Sequence, residues 1–162
     1  MNAPGARPIR VSGRSAWQSA LLGLAQGAQR ELCVQSHHLE AFAYGDAAFV
    51  EAIKELILNN RRAQVRVLLN DVGPAAKGHR LVDLGRTLSS FIQFRQLSQA
   101  DRDHLEDRVI ADRAGFIERL DPESSEALHY PTAPADARRR LDGFERLWAR
   151  AAPSPQLRAL FI

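Results

Sequence analysis

Residues 31–69 read as strand, helix, strand, and this order restricts the fold more than any other feature of the chain. Glu31 to Ser36, ELCVQS, alternates Leu32 and Val34 with polar neighbours, the pattern of a strand. After Gly45-Asp46, Phe49, Val50, Ile53, Leu56 and Ile57 recur at the spacing of one helical face, and Asn59-Asn60 fit its end. Ala63 to Leu69 is dense in β-formers and is stopped by Asn70-Asp71-Val72-Gly73-Pro74. Two strands joined through a helix pair in parallel with a right-handed crossover. The chain must therefore build a sheet with helices on its faces.

The other segments extend this unit. Residues 1–14, rich in Pro, Gly and Arg, are expected to be a flexible arm, with Val11 starting a short edge strand. Trp17, Leu21, Leu24 and Ala28 predict a helix over 15–29. Leu81, Leu84 and Leu88 predict another after Lys77-Gly78-His79-Arg80, and Phe91 to Leu97 a strand. His104 to Arg119 predicts a hairpin: a polar lead-in, Arg108 to Ala111, a turn after Asp112, and Phe116-Ile117 resuming the extended pattern. Pro122, Pro131 and Pro134 predict mostly loop over 121–135. Thr132 is a candidate cap for the helix that carries Ala137, Leu141, Phe144, Leu147 and Trp148. Leu157 to Ile162 is expected to form a last strand. The expected architecture is α/β: a mixed, mostly parallel sheet of five to six strands with helices on its faces, forming a single domain over 15–162.

Composition narrows the function classes. Cys33 is the only cysteine, so no intrachain disulfide forms, and its apolar surroundings suit an inert buried thiol. The N-terminus lacks an apolar stretch of signal-peptide length, and no run approaches a membrane span, so a cytoplasmic protein without membrane contact is expected. A net charge of +3 is mild, and Lys54 and Lys77 are the only lysines. Arg138-Arg139-Arg140 lies among Asp136, Asp142 and Glu145 and reads first as a solvated face, so a nucleic-acid partner has little support. There is no Walker loop, GxGxxG, paired CxxC, GxSxG or HExxH, and no cofactor is implied.

Three constellations carry titratable groups. His37, His38 and Glu40 follow a strand end, where open α/β sheets place ligands. Their spacing matches no standard zinc pattern, so a structural role ranks ahead of a metal site. Lys77, His79 and Arg80 stand at a helix start, where exposed amides and the helix dipole favour an anion such as phosphate or sulfate. The third is the hairpin, with His104 at its mouth and Asp112 at its turn.

The helix and strand at the start, the strand–helix–strand core, the hairpin beginning near a histidine and the late helix with Phe144 and Trp148 together resemble one repeat of the phospholipase D-like superfamily, over roughly residues 15–151. The resemblance implies a nucleophilic histidine, a lysine two residues later that neutralises phosphate oxygens, and an aspartate further along the same strand. Mapped here, His104 takes the histidine place and Glu106 the lysine place, a reversal of charge, while Asp112 falls one residue late. A register that keeps Asp112 in place puts Leu105 at the histidine position. Either way the triad is broken, and a lost transition-state contact of this kind costs about 3–4 kcal/mol.

The KGHRL-like helix start, the F-I-x-F-R strand and the final F-x-x-L-W helix also resemble an uncharacterised bacterial domain family sometimes joined to a GNAT-type acetyltransferase. The first functional expectation is a catalytically degenerate domain that binds an anionic ligand or a protein partner, an acetyltransferase among them. Ser36, His37 and His104 line its old cleft, and Lys77, His79 and Arg80 meet the anion. The superfamily resemblance implies a two-fold homodimer. The alternatives are a phosphodiesterase or nuclease with His104 as nucleophile, and a nucleic-acid-binding module.

Overall fold

Parallel strands need crossovers and hairpins do not, and both kinds of connection feed one sheet here. The computed structural model describes residues 7–70, 77–104, 106–119, 121, 123–153 and 157. In chain order the elements are β1 (Ile9–Val11), α1 (Arg14–Gly27), β2 (Glu31–Ser36), α2 (Ala41–Tyr44), α3 (Ala47–Asn59) and β3 (Gln64–Leu69). Then come α4 (Arg80–Thr87), β4 (Ile92–Gln96), a 3-10 turn (Gln99–His104), β5 (Arg108–Ala111) and β6 (Gly115–Arg119). The last are β7 (Ala127–Tyr130), α5 (Pro134–Arg150) and β8 (Ala152–Pro153). The strands lie in the order β1-β7-β6-β5-β2-β3-β4-β8.

The centre follows from the sequence. β2 and β3 pair in parallel, Leu32 opposite Val65 and Ser36 opposite Leu69, and β4 continues parallel beside β3. Asp46 caps α3 by accepting from the Phe49 amide. Alternation along the strands then sorts side chains to two cores. Leu32, Val34, Val65, Val67 and Val109 pack on α1, α3 and α4 with Trp17, Leu21, Phe49 and Ile53. Cys33, Leu68, Ile110 and Phe116 face the other way, onto Ala137, Leu141, Phe144 and Trp148 of α5. Cys33 is thus buried, and that burial pushes its thiol up to about 12 despite the Arg66 guanidinium alongside.

The α/β class stands, with two differences in the sheet. Among the described residues it has eight strands rather than five to six, and there only β2/β3 and β3/β4 pair in parallel; the other five pairings are antiparallel. The additions are short edge strands. β1 lies within the expected arm, pairing with β7 from Ile9 to Val11. β7 lies in the segment read as loop, because four residues flanked by prolines carry too little alternation to register. β8 is only Ala152–Pro153, and proline is tolerated there because an edge strand has no outer partner to serve. The helix cap expected at Thr132 falls at Ala133, without a side-chain bond. Apart from Leu157, which is buried in the core, the final strand expected over 157–162 lies outside the described residues.

At the tip of β5 and β6, Asp112 and Arg113 both take positive φ, 54° and 60°. Asp112 offsets that strain by accepting from the backbone amides of Gln29 at 2.8 Å, Arg30 at 2.8 Å and Glu31 at 3.0 Å. The hairpin is thereby fastened to the start of β2.

Gly115 opens β6 against the end of β7, and a Cβ there would stand 2.5 Å from the Pro131 carbonyl oxygen and 3.1 Å from that of Tyr130. Both obstacles are backbone. Gly115→Ala is expected to destabilise the fold by about 1–3 kcal/mol, read as a lower midpoint in urea. An unchanged midpoint contradicts the close pairing described.

Candidate functional site

The C-terminal ends of the parallel strands β2 and β3 meet the N-terminal end of β5, and several buried polar groups collect there. Asp107 precedes β5 and is 2% exposed; Arg119 ends β6 and is 7% exposed. The Arg119 guanidinium donates to Asp107 Oδ2 at 3.1 Å and meets Glu40 Oε2 at 2.6 Å. It also lies 4.6 Å from the centre of the Trp17 ring, whose face attracts a cation. Asp107 Oδ1 accepts from the His37 amide at 2.9 Å. Burial pushes the Asp107 carboxyl up, while the His37 amide and Arg119 pull it back. Burial, and after it the charges of Asp107 and Glu40, hold the Tyr44 hydroxyl well above its ordinary range, so it stays protonated.

The loop from His37 to Glu40 is secured at four points. His37 donates to Asp107, the Leu39 amide donates to Ser36 Oγ at 2.9 Å, Glu40 meets Arg119, and the Leu39 carbonyl accepts from His79 Nε2 at 2.9 Å. Leu39 can therefore hold a positive φ of 50°. His37 and His38 diverge, with ring centres 6.1 Å apart, and Glu40 is engaged by arginine. His37 Nδ1 instead lies 3.3 Å from the Asn70 amide nitrogen. His37 and Glu40 hold the loop while His38 is exposed, and the three do not converge on a common ligand position.

The structure gives the cationic cluster before α4 a different distribution. Lys77 and Arg80 are exposed, and Arg80 donates to the Gly45 carbonyl at 3.2 Å. His79 is 3% exposed and caps α4: its Nδ1 accepts from the Leu81 amide while Nε2–H donates to Leu39. Both ring nitrogens are occupied, so the ring is neutral in one tautomer. Its pKa is lowered, chiefly by burial, against smaller upward contributions from Leu39 and Asp83. Ser36, His37 and His79 thus meet around one loop, whereas Lys77 and Arg80 face solvent.

Neither register of the motif brings a lysine into the hairpin. His104 ends the 3-10 turn that precedes the expected polar lead-in, and β5 begins at Arg108. Glu106 is exposed and pairs with Arg108. With Asp112 kept as the fastening aspartate, the lysine place is Asp107, so a carboxylate stands there in either register, Glu106 or Asp107. No histidine anywhere in the chain is followed by lysine two residues later. Sequence reasoning missed Asp107 and Arg119 as a pair. The available signal was opposite charge at the two ends of the hairpin, Asp107 before β5 and Arg119 closing β6.

A family model described as a domain of unknown function (DUF7931) matches residues 13–160. No curated protein matches the sequence. Among solved structures, TrmBL2, an archaeal chromatin protein described with a novel mode of DNA binding, aligns with a TM-score of 0.68 at 14% identity. The match covers 95% of this chain and 56% of that one, so the chain spans just over half of that protein. Nuc from Salmonella typhimurium, a phospholipase D family member, aligns at 0.65 and 14% identity over 91% of this chain and 97% of its own. NucT from Helicobacter pylori aligns at 0.64 and 8% identity over 91% and 99%. The shared feature at these identities is the phospholipase D-like fold.

Two outcomes follow from the buried groups. Arg119→Met strands two carboxylates against Trp17 and is expected to cost about 3–5 kcal/mol in chemical unfolding; a loss below about 1 kcal/mol contradicts the pairing. His79 binds protons less readily folded than unfolded. Its contribution is therefore present above the unfolded value of about 6.5 and is lost as pH falls through that value toward the lower folded one. His79→Asn is expected to flatten the pH dependence of the thermal midpoint between about pH 7 and about pH 5. A slope identical to the parent protein's rules this out.

Proposed function

The chain belongs to this family of domains of unknown function, and we propose that it is a non-catalytic phospholipase D-like domain that binds an anionic ligand or a protein partner. The observation that carries this reading is the charge at the lysine place. A phosphoryl-transfer site there needs a cation to meet oxygens that gain negative charge. Asp107 is a carboxylate instead, and Arg119, the cation beside it, is already held by Asp107 and Glu40 under the sheet edge. An anionic substrate would meet repulsion from two acids before it met that guanidinium.

The same reading keeps the fold as a scaffold whose polar loops do the binding. Ser36, His37 and His79 act in it by shaping the loop at the strand ends. Lys77 and Arg80 stay exposed beside that loop and can meet an anion directly. A GNAT-type acetyltransferase belongs among the candidate protein partners, and a two-fold homodimer is the assembly this reading favours.

Hydrolysis is the direct test. Neither the native protein nor His104→Ala is expected to turn over bis(p-nitrophenyl) phosphate or single-stranded DNA above the blank. Turnover by the native protein that disappears in His104→Ala would establish the phosphodiesterase reading in its place.

A further inference from the structure

On the opposite face of the sheet from Asp107, a cavity of about 230 Å³ opens between β2, β5 and α5. Arg108, Arg146 and Arg150 line it, with Gln35, Glu106 and Gly143. Its construction follows from two periodicities. Gln35 and Arg108 are opposed in the β2/β5 register, on the side where Cys33 and Ile110 meet α5. Gly143, Arg146 and Arg150 recur at helical spacing, so one stripe of α5 closes the other wall. Gly143 leaves that wall open, since a Cβ there would have only the Arg146 guanidinium, at 3.8 Å, as a near neighbour. Gln35, 2% exposed, donates from Nε2 to the Glu106 carbonyl at 3.0 Å and holds the rim of the cavity in place.

The charges around this cavity do not cancel. Glu118 accepts from both Arg108, at 2.7 Å, and Arg140, at 2.8 Å, and the two arginines hold its carboxyl below its ordinary value against the opposing effect of burial. Asp101 takes Arg150 in a two-point contact at 2.9 and 3.0 Å. Among the described residues no carboxylate pairs with Arg146, which is exposed on α5. Glu106 is the movable member. Its side chain is 68% exposed, against 14% for Glu118, yet it reaches Arg108 Nη2 from the rim. An exposed carboxylate on a mostly buried guanidinium is readily exchanged for another anion, because Arg108 keeps Glu118 when Glu106 leaves.

We propose that this cavity is an oxyanion site for a phosphate group, bound by Arg108, Arg146 and Arg150, with the Glu106 carboxylate as its built-in competitor. The assignment goes beyond the reading above: it shares the premise of an anionic ligand but names a position apart from Lys77 and Arg80. Arginine suits the ligand because its planar fork offers paired donors to phosphate oxygens. The group arrives either as free phosphate or as part of a small phosphodiester, and both present the same oxygens.

Calorimetric titration of the whole chain at low salt, with inorganic phosphate and separately with bis(p-nitrophenyl) phosphate, tests the site. Saturable binding of at least one probe is expected. Arg146→Ala should weaken it about tenfold, and Glu106→Gln should strengthen it several-fold. Both positions are exposed, so the thermal midpoint should stay near that of the native protein. Phosphate without the diester identifies a free oxyanion; binding of the diester identifies an esterified one. Binding of neither probe, or binding indifferent to both substitutions, overturns the assignment. An oligonucleotide that binds through Arg146 while phosphate does not also overturns it, in favour of a nucleic-acid backbone. Turnover of the diester with affinity still dependent on Arg146 would support the cavity and remove the non-catalytic reading instead.

Discussion

Burying a guanidinium is costly unless it is paired with opposite charge, and the C-terminal edge of the sheet is organised around meeting that condition for Arg119. Two carboxylates from different parts of the chain and one indole face supply the partners. Each partner brings a segment with it. Asp107 orients the start of β5 and holds the His37 amide; Glu40 anchors the loop before α2; Trp17 belongs to α1. Removing the cation would leave two acids without compensation, so these four segments are mutually dependent. A cation already held by two carboxylates is poorly suited to receiving a substrate.

The opposite face solves a related problem differently. Arg66 crosses the α5 core between Phe144 and Trp148, its guanidinium 4.9 and 5.6 Å from their ring centres, and it ends on Glu145. Arg108 and Arg140 share Glu118, and Arg150 takes Asp101. Arginine rather than lysine does this work because its flat, weakly hydrated head stacks on rings while its edges reach carboxylates. Part of the basic charge is thereby spent on contacts within the fold, while most of the arginines stay exposed.

The central elements were legible because each carries a long enough pattern. Phe49, Ile53, Leu56 and Ile57 define a helical face, and Asp46 marks its start by the chemistry of its cap. β2 reads from Leu32 and Val34, and parallel pairing follows from the intervening helix. The edge strands were not legible. Ala127–Tyr130 becomes a strand because Phe116 through Arg119 offers it a ladder, with Phe116 and Tyr130 stacked at 4.5 Å. Nothing within four residues encodes that partner. The site was half legible for the same reason. The reversed charge in the hairpin is visible at Glu106, but whether Glu106 or Asp107 occupies the buried place depends on which side of the pleat each one faces.

By itself, the sequence determined the α/β class, the parallel centre, the helix that covers its second face and the absence of a histidine–lysine pair, because these rest on local periodicity and residue identity. The tertiary structure alone decided the antiparallel majority of the sheet, the closure of Arg119 between Asp107 and Glu40, the capping use of His79, and the arginine-lined cavity beneath α5. Each of these joins residues far apart in the chain, and a contact between distant residues exists only once the sheet register has set which side chains share a face.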